Sequence, residues 1–405
     1  MHTKIKLAVF FGGLSPEHDV SILTGLELLA ALDPTKYDAF PVYVGLDHQW
    51  WVGEPLRRRA NYLPDAALKQ QLTRVTLAAG NERRLGQPVL REVGAPFWRA
   101  AKTFGFEVAI PVFHGGYGED GAFQGLLEAC GVPFMNSGVT GLGLTIDKDL
   151  TQRVAASLGL PTVPSLKVCA QQAVPEASAV QQALGAAPWI VKPNRLGSSL
   201  GVHLVKTYDA LEPAVRDVLR LDSAALVQRC VPNLVEYNVA VRRLPNGKVV
   251  TSQIERPLKK GDTLDFKDKY MAGGQNKLVG KLAGDGAGAG AAGMVSASRV
   301  FNPPELDAAR AENIRHWAGA LFAGLDLAGV PRLDFLCDSQ TGELWFNEVN
   351  PIPGSMGFFL WEQATPPMGY TALLDDLVAE AQARARQRKR IDPLQAGGAL
   401  FPKRG

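Results

Sequence analysis

The chain has 405 residues, 46% of them hydrophobic and 20% charged, with a formal net charge of +3. That length calls for two or three domains rather than one core, and the near balance of charge gives no general case for a nucleic-acid partner. Four cysteines (Cys130, Cys169, Cys230, Cys337) lie far apart without a CxxC pair, which excludes a disulfide scaffold or zinc ribbon and fits reduced thiols in the cytosol. No stretch approaches the roughly 20 apolar residues of a membrane span. LAVFF near the start runs into glycines and SPEHD with no small-residue cleavage site, so a soluble cytoplasmic chain is expected.

In chain order, IKLAVFF reads as a buried parallel strand. GGLSPEHDVSILTGLELLAAL follows as a helix, where Ser15 can cap, Pro16 suits the first turn, and Val20, Leu23, Leu26 and Leu29 form an apolar stripe. PVYVGL and VAIPVF are further strand-like runs, so the first part reads as α/β with a parallel sheet. Between them, residues 53–105 are polar and arginine-rich and carry no assignable pattern. After GVTGLGLTIDK, DLTQRVAASLGLP is a helix stopped by glycine and proline. WIVKP and GVHLVK are short strands joined by NRLGSSL, and YDALEPAVRDVLR is a helix. ALVQRCV leads into EYNVAVRRLPNGKVVTSQI, a hairpin turning at LPNGK. KLAGDGAGAGAAGMVS is expected to be a mobile loop. ELDAARAENIRHWAGALFAGL is a long helix, VPRLDFLCDSQTGELWFNEVN a second hairpin, and YTALLDDLVAEAQARARQRKR a closing helix.

The second hairpin raises a question of charge. Its last strand ends on Glu348 and Asn350, which strand alternation turns to one face. Within one residue of register, pairing across DSQTG sets Asp334 beside Glu348, with Asn350 one step along. Two carboxylates and an amide oxygen suit Mg²⁺ or Mn²⁺; the alternative is that they cap turns or pair with Arg332. KPNRLGSSLGV can offer Lys192, two hydroxyls and backbone N–H groups to phosphate. It is neither a Walker A loop nor a Rossmann fingerprint, and a turn with a solvated lysine is the plainer reading. HGGYGEDGAFQGLLEACGVP is glycine-rich ahead of a helix, so its amides either face an anion or only turn the chain. Glu17 follows the first strand, where open α/β sheets bind ligands, or else caps the helix dipole. The histidines lack metal spacing, and RARQRKR puts cations at a helix C-terminus, where they are favoured without nucleic acid.

Taken in order, FGGLSPEHDVS, HGGYGEDGAFQGLLE, IDKDLTQ, VKPNRLGSSLGV, EYNVAV, FKDKY, RLDF and NEVNPIPG resemble the D-alanine–D-alanine ligase family of ATP-grasp enzymes. The resemblance extends over most of the chain; the insert at 53–105 and the tail after about residue 390 lie outside it. It implies an α/β fold, α+β in its C-terminal half, with the three-domain ATP-grasp architecture. An N-terminal parallel-sheet substrate domain would span 1–147, a central ATP-grasp subdomain 148–230, a C-terminal one with lid loop and metal site 231–390, and a tail 391–405. The implied cofactors are ATP and Mg²⁺ (or Mn²⁺), and the implied partners are small amino acids and a second copy in a homodimer, with no nucleic acid and no membrane.

By the same resemblance, Lys148 and Lys192 contact ATP phosphates and Ser199 sits in the phosphate-covering loop. Gln228, Arg229 and Val231 are similar to the adenine-contacting segment, and Glu236 to the acid that binds ribose hydroxyls. Gln228 replaces the usual glutamate, with one extra residue before Glu236. Lys269 and Tyr270 match the lid, and Asp334, Glu348 and Asn350 the ligands of two magnesium ions. Glu17 holds the first ammonium; Ser198, Tyr270 and Glu17 form a hydrogen-bonded link that closes the lid. Arg332 and the Gly354 N–H stabilise the tetrahedral oxyanion. The resemblance implies dipeptide formation through an acyl phosphate, D-alanine to D-alanine for peptidoglycan.

The pattern departs just after PGS. A serine that holds the second amino acid's carboxylate in the family is replaced by Phe359, which leaves Ser355 as the nearby hydroxyl. A polar pocket discriminates more strongly than an apolar one, so the change bears on specificity. Two rivals follow: a D-alanyl-D-X or other dipeptide ligase, and a catalytically silent nucleotide-binding protein, against which the retained acids and lysines argue.

Overall fold

RLDFLCD explains in miniature why the C-terminal half folds as it does. In the computed structural model, which describes residues 3–62, 66–78, 88–258 and 299–389, it is an edge-proximal strand of a six-stranded sheet. Leu333, Phe335 and Cys337 are fully buried, while Arg332 and Asp334 alternate with them onto the opposite face. This sheet runs β15 (Arg299–Phe301), β14 (Glu255–Pro257), β12 (Leu234–Arg243), β16 (Arg332–Asp338), β17 (Leu344–Asn350), with β13 (Val249–Thr251) off β12. Its apolar face packs on the helix Ala308–Gly324 through Ile314, Ala318, Leu321 and Phe322, and its polar face is left to a cleft. Asp307 caps that helix, its side chain accepting the Arg310 N–H at 2.8 Å.

The first sheet has seven strands in the order β6-β5-β4-β3-β2-β1-β7. β1 (Ile5–Gly12), β2 (Tyr37–Val44) and β7 (Val108–Pro111) are parallel, as the apolar runs imply. β3 (Trp50–Val52), just ahead of the stretch without an assignable pattern, and β4 (Thr73–Ala78), β5 (Val89–Glu92) and β6 (Thr103–Gly105) within it are all antiparallel, so the sheet is mixed rather than wholly parallel. The helix after β1 begins at His18, not at Pro16. Ser15 does not cap it in the expected way: its Oγ accepts the Glu17 N–H at 3.1 Å, which closes a turn ahead of the helix.

The second sheet, β10-β9-β11-β8, is antiparallel: β8 is Ser165–Cys169, β9 Trp189–Pro193, β10 His203–Val205 and β11 Ala224–Arg229. Helices Ala177–Leu184 and Leu211–Leu219 bury Val180, Leu184, Val215 and Val218 against it. The last described helices return to the first sheet. The short helix Phe358–Glu362 and the long helix Tyr370–Lys389 join the core under β1, and Tyr37 donates to Asp375 at 2.7 Å. Among the described residues no helix is long and apolar enough to cross a membrane. KLAGDGAGAGAAGMVS, Lys269, Tyr270 and the tail lie outside the described residues.

Candidate active site

The register across DSQTG is the expected one: Asp334 pairs with Glu348 and Arg332 with Asn350. Between Asp334 and Phe335 the register shifts, and Asn347 is the extra residue. A bulge turns two consecutive side chains toward one side, and both meet a lysine. Lys192 donates to Asn347 Oδ1 at 3.2 Å, and Lys148 lies 3.5 Å from Glu348. Asn347 went unread in the sequence because a bulge breaks the alternation that flags cleft-facing residues.

Asp334 is 9% exposed and held by Arg332 through both oxygens, at 2.7 and 2.8 Å, and Asn350 Nδ2 donates to it at 2.9 Å. The plainer reading, an Arg332 ion pair, is therefore present in this structure, with Glu348 in register beside Asp334. A fork-to-carboxylate pair of this geometry offsets the desolvation of a buried acid. Among the described residues no group of three or more His, Cys, Asp or Glu side chains converges as a metal site; the set here is two carboxylates and an amide. All its donors are hard oxygens beside two lysines, which fits Mg²⁺ or Mn²⁺ rather than zinc.

Lys148 heads the helix Lys148–Ser157 behind the capping residue Asp147, and its Nζ also donates to Leu196 O at 2.7 Å. Lys192 is the last residue but one of β9, just ahead of the loop NRLGSSL. In that loop Ser198 and Ser199 have φ of 54° and 57°, the left-handed region that non-glycine residues seldom occupy. The Ser198 hydroxyl donates to Glu17, which joins the loop to the N-terminal sheet. Gly197 lets this happen: a Cβ there would lie 3.1 Å from Glu17 Oε2.

Glu17, Glu119, Lys148, Glu348 and Asn350 line one cleft. Glu119 was not singled out in the sequence, although it stands within HGGYGEDG. It accepts the Gly115 N–H at 2.7 Å, and burial, with the nearby charge of Glu17, pushes its carboxyl up to about 8. His114 of the same turn is buried and depressed to about 4 by that burial, so it is neutral, and it meets Thr24 Oγ1 at 3.0 Å. A second, more apolar cavity of about 310 Å³ shares Ser15 and Gly115 with the cleft and is walled by His48, Trp50 and Phe113.

Of the expected adenine segment, Gln228 is 3% exposed with its Nε2 unpartnered, and Arg229 donates to Leu184 O at 3.1 Å. Val231 packs with Val163 and Trp345, and Leu336 borders them. Glu236 pairs with Leu336 in register, on the sheet face that also carries Asp334. An apolar seat thus lies along the same face as the oxygen donors. Gly354 opens the turn Gly354–Gly357, and a Cβ there would meet nothing within 4 Å. Ser355 does not point its hydroxyl freely into the cleft: it donates to Glu27, and its N–H reaches Thr24 Oγ1 at 3.3 Å. Phe359 is 9% exposed and sits in the core.

Comparison with known proteins completes the picture. A family described as D-ala D-ala ligase N-terminus matches residues 6–137, and one described as D-ala D-ala ligase C-terminus matches 154–283 and 293–379. The D-alanine--D-alanine ligase of Chlorobium phaeobacteroides (strain BS1) is 31% identical and covers 92% of this chain and 97% of its own. D-alanine--D-alanine ligase A of Bradyrhizobium diazoefficiens is 33% identical over 97% of this chain and 99% of its own. Among solved structures, the D-alanine-D-alanine ligase from Coxiella burnetii superposes with a TM-score of 0.75 at 23% identity, covering 95% of this chain and 96% of that one. The VanG D-Ala:D-Ser ligase from Enterococcus faecalis gives 0.70 at 22% identity, covering 94% and 100%. Both show the fold.

Proposed function

Given that this chain belongs to the D-alanine–D-alanine ligase family, we propose that it joins D-alanine to D-alanine for peptidoglycan, driven by ATP through an acyl phosphate. The observation that carries this reading is the single cleft walled both by Glu17, an acid fit for an ammonium, and by the Lys148–Glu348 pair, fit for a triphosphate.

A carboxylate does not condense with an amine until it is activated. On this reading Glu17 and Ser198 hold the ammonium of the first amino acid and so aim its carboxylate at the terminal phosphate. Lys148 and Lys192 hold the phosphate oxygens, and the strained backbone at Ser199 covers them. The adenine rests against Val231 between Gln228 and Arg229, with Glu236 on the ribose. Asp334, Glu348 and Asn350 would hold Mg²⁺, whose charge offsets that of the terminal phosphates. The second amine attacks the acyl carbon, and Arg332 with the Gly354 N–H stabilises the oxyanion that forms. The open space beside Gly354 supports that role. Lys269 and Tyr270 enter on resemblance alone, as the lid that keeps water from the acyl phosphate.

Phe359 favours a second reading, in which the chemistry is kept and the amine partner differs. Phosphate release from ATP and Mg²⁺ across a panel of D- and L-amino acids tests both. Release with D-alanine alone is expected. Release only when another amino acid is added would favour the second reading, and none with any amino acid would overturn both.

A further inference from the structure

On the ligase reading, the amino acid that arrives second carries a carboxylate that needs a cation. Arg332 is bound through two donors to Asp334, Lys148 faces Glu348 and Lys192 meets Asn347. Arg299 is placed differently. It opens β15, and the registers Pro257↔Arg299, Glu255↔Phe301, Asn238↔Glu255 and Asn238↔Asp334 put it on the sheet face of Asp334. Its guanidinium lies over the Phe359 ring, 4.1 Å from the centroid. Nη1 donates to Glu255 at 2.7 Å, and Glu255 also accepts from Asn238 at 3.2 Å. Nε is itself buried and meets no acceptor among the described residues, so the 23% of the side chain's surface that stays exposed belongs to its other atoms.

We propose that Arg299 receives the carboxylate of the second amino acid and determines specificity there, with Phe359 and Glu255 positioning its guanidinium. A lysine would neutralise Glu255 equally well. Ring stacking, and a planar fork with donors in excess of one acid, are what a bidentate carboxylate receptor requires. Phe359 thus supplies no hydrogen bond itself but holds in plane a guanidinium whose terminal Nη1 and Nη2, rather than the buried Nε, would meet the carboxylate end-on.

The test is an internal competition with the full chain: ATP, Mg²⁺ and D-alanine, with D-alaninamide as a rival second substrate, the two dipeptide products being counted by mass spectrometry. The wild type should favour the acid. Arg299→Met should raise KM for the second amino acid by roughly tenfold to hundredfold, the range of a charge-assisted hydrogen bond. It should also bring the acid-to-amide ratio toward one, while KM for ATP stays put; Arg299→Lys should fall between. The ratio is blind to how much protein is folded. Should Arg299→Met not fold, Phe359→Leu keeps the Glu255 pair, loses the ring plane and must lower the same ratio. An unchanged ratio in the variant that folds overturns the assignment and leaves Arg299 as a counter-ion to Glu255. A wild type that makes no dipeptide removes this proposal and the ligase reading together, whereas dipeptide with an unchanged variant ratio removes this one alone.

Discussion

Residues 347–350 and 354–362 are neighbours in the chain and opposites in kind. The first stretch is regular strand with one bulge, and its polar side chains meet partners on other elements: Asn347 with Lys192 of β9, Glu348 with Lys148 of the helix Lys148–Ser157, Asn350 with Asp334 of β16. The second breaks regular geometry, with Ser355 and Met356 at φ of 49° and 54°, and then buries Phe358, Phe359, Leu360 and Trp361. On the proposed reading, the paired strand places groups that would handle phosphate, where geometry must be held. On the same reading, irregular backbone and packing shape the place where the amine would arrive, where one protein can differ from its relatives without loss of the chemistry.

That contrast makes a sharp pair of expectations. Glu348→Gln should lower kcat by about 10²–10³, the size seen when one group that stabilises the transition state is lost. Its thermal unfolding should barely move, because Glu348 is half-buried at a cleft rather than in the core. Steady-state phosphate release beside a melting curve checks this, and near-normal turnover would sink the metal assignment. Phe359→Ala should do the reverse in kind. It removes a buried ring packed edge-on to Phe358 at 6.1 Å, and should cost about 3 kcal/mol in chemical denaturation. If the two variants behaved alike, the division between chemistry and packing would fail.

Much of this was legible in the sequence where elements are long and periodic. RLDF alternates polar and apolar residues, so the hairpin register and the acid pair followed from period two. Residues 53–105 were opaque for a physical reason: β4 has six residues, β5 four and β6 three, too short for any periodicity to rise above composition. Nor does serine announce a left-handed backbone, so Ser198, Ser199 and Ser355 concealed their conformation. Glu119 stayed hidden because its burial beside Glu17 is a tertiary fact, although its place at the end of a glycine-rich turn was visible.

Glu119 also offers a way to sharpen the contrast by pH. Its carboxyl sits at about 8 in the folded chain against an ordinary 4.5, so the folded state keeps a proton that the unfolded chain has released. Folding stability should therefore fall as pH rises from about 4.5 to about 8. Glu119→Gln cannot ionise and should flatten that slope, removing a wild-type difference of roughly 3 kcal/mol between about pH 5 and pH 8. Denaturant titrations at several pH values measure it. A slope that survives the substitution would mean that the cleft is wetter than its walls imply, and that its acids are ordinary ones.

The smallest effect discriminates most finely at the amine side. Ser355 is the hydroxyl the sequence offers for the second carboxylate, yet it donates to Glu27 and so ties the turn to the first helix. Ser355→Ala should then cost about 1 kcal/mol of stability, the net worth of one hydrogen bond. KM for the second amino acid should shift less than about threefold, which is below the worth of such a bond to a ligand. Measured together, the two numbers separate the roles. A small loss of stability with constant KM leaves recognition to groups beyond the turn, where Phe359 lies. A tenfold rise in KM with stability intact would mean that the hydroxyl turns from Glu27 to the substrate, and the irregular stretch would then carry chemistry of its own.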